Sequence, residues 1–153
     1  MKIDVVSRHY FELRKGTPEE KEILATHRVI SIQTSNGYDT DPPFSPELLT
    51  SPNLLCMVFD DTVENSGRLF TEEDAKAIFD FVCDDSLSVI VHCTAGIARS
   101  GAVGDVLDVY YNRYRNNDKD HWYFLLKNSL IRPNTTVHRL MMRELYARIG
   151  RQQ

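Results

Sequence analysis

Two spacings of apolar residues alternate along the chain. Compact apolar runs at residues 3–7, 29–33, 54–59 and 87–92 have the length and flanks of strands. Between and after them, apolar positions recur every three or four residues, which predicts helices over 18–25, 72–83, 100–114, 121–130 and 135–149. Val103, Val106, Leu107 and Tyr110 form the stripe of the third, and Thr71 before Glu72, Glu73 and Asp74 is a capping-type start for the second. Strands that precede helices in this way predict an α/β fold with a central, mostly parallel sheet flanked by helices. Residues 34–47, TSNGYDTDPPFSPE, are rich in Gly, Pro and Asx and predict a long loop.

Composition narrows this. A chain of 153 residues that is 42% hydrophobic, with no compositional break, is expected to fold as one domain over residues 1–153. Its apolar runs are too short to span a bilayer, and MKIDVVSRHY lacks the apolar core of a signal peptide. Three cysteines without C-x-x-C spacing form neither a disulfide framework nor a zinc site. The expectation is a cytoplasmic monomer without membrane attachment. A formal charge of −4 with scattered basic residues gives no footprint for nucleic acid.

The chemistry concentrates in VIVHCTAGIARSG, residues 89–101. A strand ending near His92, a short loop and a helix opening near Arg99 aim backbone N–H groups and a helix N-terminus at one point, which is an anion site. Cys93 sits at its rim, where the same field stabilises a thiolate. Thr94, Ala95, Gly96, Ile97 and Ala98 form the cradle, with Gly96 allowing a tight turn. Arg99 offers a planar fork that grips two oxygens of a phosphate, and Ser100 can donate to the sulfur. The bland alternative is a buried cysteine closing a core strand.

The ordered string His92-Cys93-x5-Arg99-Ser100 resembles the signature of the cysteine-dependent protein tyrosine phosphatase superfamily. The resemblance implies a two-step phosphomonoester hydrolysis through a cysteinyl-phosphate, without metal or cofactor. It also implies an aspartate about thirty residues upstream of the cysteine as general acid. LLCMVFDDTVENSG places Asp60 and Asp61 there, and the Asp-Thr step at Asp61 is similar to that of small dual-specificity phosphatases, so Asp61 is expected to be the acid. In LIRPNTTVHRLMMREL, Asn134 either braces the cradle or caps the last helix. The Lys-Asn-Arg-Tyr and Trp-Pro-Asp motifs of the longer tyrosine-specific enzymes are absent, and the cradle has no basic residue of the kind that phosphoinositide-directed relatives carry. Phosphorylated protein is the implied substrate. A phosphoprotein-binding module without turnover, an RNA 5′-phosphatase, and a sulfurtransferase or arsenate reductase are the rival classes.

Other residues carry weaker expectations. His92 is expected to tune the thiol rather than act as a base. Cys56, on the strand before the acid, is either inert or able to form a protective disulfide with Cys93. Cys83 is expected to pack, and the Trp122, Tyr123 and Phe124 group to lie in the core, with a partner surface as its alternative. Tyr38 and Phe44 either flank an aryl phosphate or stand exposed in the loop.

Overall fold

The computed structural model describes residues 1–62 and 67–152; residues 63–66, the far part of the segment expected to carry the acid, lie outside the described residues. Four strands, β1 (Ile3–Ser7), β2 (His27–Gln33), β3 (Leu54–Val58) and β4 (Ser88–Cys93), form an all-parallel sheet in the order β1-β4-β2-β3. Parallel neighbours cannot be joined by a tight turn, so each connection carries the chain back across a face. Helices α1 (Arg8–Glu12) and α2 (Pro18–Thr26) link β1 to β2, and α3 (Glu72–Val82) links β3 to β4. After β4 come α4 (Arg99–Asp108), α5 (Asp118–Lys127) and α6 (Thr135–Gln152).

The apolar stripes divide between the two faces. Phe11, Ile23 and Leu24 from α1 and α2 pack with Val29, Leu54, Ile90 and Phe44 on one side. On the other, α3, α4 and α6 bury Ile78, Phe79, Val103, Leu107, Val137 and Met141 against Ile3, Ile30 and Val91. Thr71 makes the expected capping box, its hydroxyl accepting from the Asp74 N–H at 3.2 Å while the Asp74 carboxylate accepts from the Thr71 N–H at 3.0 Å.

The departures from expectation have local causes. Five-residue α1 follows β1 without a turn signal and is too short to show a period. The helix expected over 100–114 is α-helical only to Asp108 and continues as a π-helical turn, Val109–Arg113. That wider turn buries Tyr110, Tyr111 and Asn112 in succession, which a 3.6-residue period does not allow on one face. The helix expected over 121–130 starts earlier, at Asp118, because the Asn117 side chain accepts from the Asp120 N–H, and it ends at Lys127.

Helix α4 lies close on β1: a Cβ at Gly104 would come within 2.7 Å of Val5 Cγ2. All four strands end at one edge of the sheet, with Ser7, Gln33, Val58 and Cys93 as their last residues. In open parallel sheets this carboxyl edge is where connecting loops gather and ligands bind. No helix among the described residues is long and apolar enough to cross a membrane.

Candidate active site

Cys93 is the last residue of β4 and Arg99 the first of α4, so residues 94–98 make a five-residue loop at the carboxyl edge. The loop is held from outside by its carbonyls. Thr94 O accepts from the Arg8 N–H, Ile97 O from the Arg132 N–H, and Ala98 O from the Asn134 N–H, at 3.0 to 3.2 Å. With the carbonyls drawn outward, the N–H groups are left for the interior, and none from residues 95–98 donates to a backbone carbonyl among the described residues. The α4 N-terminus likewise has no side-chain cap. Gly96 makes this curvature possible: its φ is +72°, and a Cβ there would meet Val6 and Ser7 backbone atoms at 2.5–2.6 Å. The loop expected to form the anion cradle, Thr94, Ala95, Gly96, Ile97 and Ala98, therefore packs tightly against β1.

Cys93 is 2% exposed, with Sγ 3.1 Å from the Ser100 hydroxyl. Burial by itself pushes the thiol pKa up, and this is the largest single effect. The Ser100 hydroxyl and N–H, the Arg99 charge and the Ile97 N–H together outweigh it, and the thiol lies below its ordinary value. Ser100→Ala removes the strongest of the opposing contacts. Iodoacetamide labelling followed at the Cys93 peptide by mass spectrometry should show the alkylation midpoint moving to higher pH; an unmoved midpoint would dissociate Ser100 from the thiol.

Arg99 is buried, and its planar group is partly spent on structure. One terminal nitrogen donates to Phe59 O at 2.9 Å and the other to Thr94 Oγ1 at 3.1 Å. Its Nε is buried without a hydrogen-bond partner among the described residues. An unspent guanidinium donor in a loop of inward N–H groups is suited to an oxyanion.

No local pattern shows how His92 is held. The ring is fully buried, with Nδ1 3.2 Å from Cys93 O and Nε2 2.6 Å from Ser31 Oγ. A neutral ring satisfies both neighbours when Nδ1 donates to the carbonyl and Nε2 accepts from the hydroxyl. The Gln33 amide lies 2.6 Å from the same Ser31 hydroxyl, completing a buried polar chain beneath the cysteine. Burial pushes His92 down to about 4, helped by the charges of Arg8 and Arg99 and opposed by the Cys93 carbonyl. Its ordinary value is 6.5, so between those pH values the unfolded chain binds a proton that the fold refuses. The resulting stability is fully present above about pH 6.5 and lost as pH falls toward 4, a total of about 3 kcal/mol. Urea unfolding should therefore show a declining free energy across that window, and His92→Asn should flatten it.

The two aspartates part company. Asp60 accepts from the Ser35 N–H at 2.9 Å, the Ser35 hydroxyl at 2.6 Å and the Arg68 N–H at 2.6 Å. These contacts, Ser35 foremost, hold its pKa below the usual carboxylate range and stitch the 34–47 loop to the segment after β3. Asp61 accepts only from the Asn134 side chain, at 2.9 Å to one oxygen, among the described residues. Asn134 takes both roles raised for it: its N–H binds the cradle at Ala98 O, and its Oδ1 accepts from the Thr136 and Val137 N–H groups at the start of α6. Its third link, to Asp61, was not foreseen.

Four secondary expectations need correction. β2 lies between β3 and β4, and Cys56 is in register with Ser31, which is in register with His92. Cys56 thus stands about 9.6 Å from β4 and on the face opposite Cys93, too far for a disulfide. Cys83 is exposed at the end of α3 rather than packed, with a positive φ of +50°. Phe44 is buried against Phe11 and His92 instead of lining the loop, while Tyr38 is fully exposed. Of the aromatic trio only Phe124 is core, at 1% exposed; Trp122 is 62% exposed.

No family model matches the chain, and no curated protein matches its sequence. Among solved structures it is similar to one described as "Crystal structure of Tk-PTP in the active form", with a TM-score of 0.51 and 14% sequence identity. The superposition covers 97% of this chain and 93% of that one, so the likeness is of the whole fold, including the parallel sheet whose carboxyl edge carries the cradle.

Proposed function

We propose that the chain is a phosphomonoester hydrolase of the cysteine-dependent protein tyrosine phosphatase type, acting on phosphotyrosine and also on phosphoserine or phosphothreonine in proteins. The observation that carries this reading is the Cys93 sulfur, lowered in pKa at the mouth of a cradle whose neighbouring Arg99 keeps an unspent donor. The fold likeness to Tk-PTP supports it.

In this reading the Cys93 thiolate attacks phosphorus, and the bond to the leaving oxygen breaks as the S–P bond forms. The N–H groups of residues 94–98 and the Arg99 guanidinium hold the equatorial oxygens where charge is greatest. Asp61 gives its proton to the departing oxygen. Water then attacks the cysteinyl-phosphate, with Asp61 taking its proton, and the Ser100 hydroxyl stabilises the thiolate as it leaves. His92 keeps the Cys93 carbonyl, and with it the first turn of the loop, in place. Each group has a task at a named atom, and none requires a metal. We place the protein in the dual-specificity branch, as one domain over residues 1–153 working on cytoplasmic phosphoproteins.

The test is release of phosphate from p-nitrophenyl phosphate in excess chelator, with vanadate as a competitive inhibitor. Turnover that survives chelation and is blocked by vanadate is expected. Tight binding of a phosphopeptide without release would instead make the chain a binding module.

A further inference from the structure

Helix α5 is turned the opposite way from an ordinary surface helix. It lies along β1, the outermost strand of the sheet on that side, and is pinned there chiefly by polar groups. Asn128 Oδ1 accepts from the Val5 N–H at 2.7 Å, Asn128 Nδ2 donates to Ile3 O at 2.9 Å, and the Tyr123 hydroxyl donates to Asp4 at 2.7 Å. Phe124 is its one buried apolar side chain. The outward surface carries large apolar side chains alongside the exposed Asp118, Lys119 and Lys127: Trp122 is 62% exposed, Leu126 78% and Leu130, in the turn that follows, 77%. Trp122 and Leu126 are four residues apart and share a face of α5, with Leu125 beside them, while Leu130 lies past the helix end at Asn128, in the turn that leads toward the cradle. Together they present on the order of 500 Å² of apolar surface, at the upper end of what a monomer's largest patch shows.

The patch runs toward the cradle. Two residues beyond Leu130, the Arg132 N–H donates to Ile97 O at 3.0 Å, and Ile97 is itself exposed on the loop. An apolar track thus leads from the rim of the candidate active site down to Trp122, with Lys127 and Arg132 exposed beside it. Two copies packed through this face would bury about 1,000 Å² in total, below the standard size of a stable interface. A single polypeptide segment suits it better, because the track begins where a phosphorylated side chain would enter. Along α5 it covers about 7.5 Å from Trp122 to Lys127, the reach of two or more residues of extended chain, and it continues past Leu130 toward Ile97.

We infer that this track docks the part of a phosphoprotein that flanks its phosphorylated residue, and that it selects apolar side chains at alternate positions of that flank. The inference deepens the phosphatase reading and rests on it for the identity of the occupant. The probes are two phosphotyrosine peptides, one with leucine at the second, fourth and sixth positions on both sides and one with serine there. Their affinities for the Cys93→Ser protein, with and without Leu126→Glu, are measured by fluorescence anisotropy. Turnover of p-nitrophenyl phosphate is measured on the otherwise wild-type chain with and without Leu126→Glu.

The leucine peptide should bind about tenfold or more tighter than the serine peptide. Leu126→Glu should erase that preference while leaving p-nitrophenyl phosphate turnover within about twofold, the scale of a neutral surface change. Equal affinity for the two peptides, or a preference that survives Leu126→Glu, overturns the docking inference whatever the turnover. Absent turnover with the preference intact overturns the phosphatase reading and leaves the docking surface standing. A wild-type dimer in sedimentation that Leu126→Glu dissociates would assign the face to a second copy and overturn the inference.

Discussion

Cys93→Ser is expected to lose on the order of 10⁴ or more in kcat/KM, the scale on which removal of a covalent nucleophile is felt. A serine hydroxyl is not ionised near neutral pH, and the contacts that lower the Cys93 thiol cannot bring a hydroxyl into range. The cradle should outlast the change, because its shape is set from outside by Arg8, Arg132 and Asn134 rather than by the sulfur. The variant should therefore still bind phosphopeptide and hold it unreacted. Steady-state kinetics and equilibrium binding on one preparation check both halves, and hydrolysis above a trace of the wild-type rate would remove Cys93 from the role of nucleophile.

Asp61→Asn is expected to cost about 10² to 10⁴ in rate, the range of a lost general acid, and to cost most where the leaving group is poor. Asp60→Asn should behave differently. Asp60 is fully engaged with Ser35 and Arg68, so its replacement should loosen the 34–47 loop and lower stability without steepening the dependence on leaving-group pKa. Asp61 has one oxygen on Asn134 and none of those bonds. Measuring kcat/KM across aryl phosphates of graded leaving-group pKa separates the two. A steepened dependence in Asp60→Asn alone would move the acid back by one residue.

The sheet and the strand-loop-helix turn at residues 88–108 were legible because their signals are local and compositional. An apolar run ending in His-Cys, a glycine in the loop and an arginine opening a helix state their geometry within a dozen residues. The parallel order of the strands follows from the helices between them. What stayed hidden depends on distant pairing. Nothing near Ser31 or Gln33 announces that they lie beneath His92, since the contact exists only when β2 and β4 are adjacent. Nor does the local pattern around Asp60 show that Ser35, 25 residues earlier, binds it. The outward face of α5 misled for a different reason. The consecutive aromatics Trp122, Tyr123 and Phe124 at a helix start suggest core, and only the placement of Asn128 and Tyr123 against β1 shows that the helix is pinned by its polar groups.

The strand order has a consequence for how the molecule comes into being. β1 and β2 do not touch as neighbours; the place between them belongs to β4, which is made last. During synthesis, the first sixty residues emerge with three strands and a gap in their middle, so β1 has no strand partner in the sheet until residues 88–93 arrive. Closing that gap demands contacts between segments more than eighty residues apart, the kind of topology that folds slowly. Until then the unpaired edges of β1 and β2 are open to other chains. Because the strand that fills the gap also carries the thiol, a chain whose β4 has not yet docked has no assembled cradle.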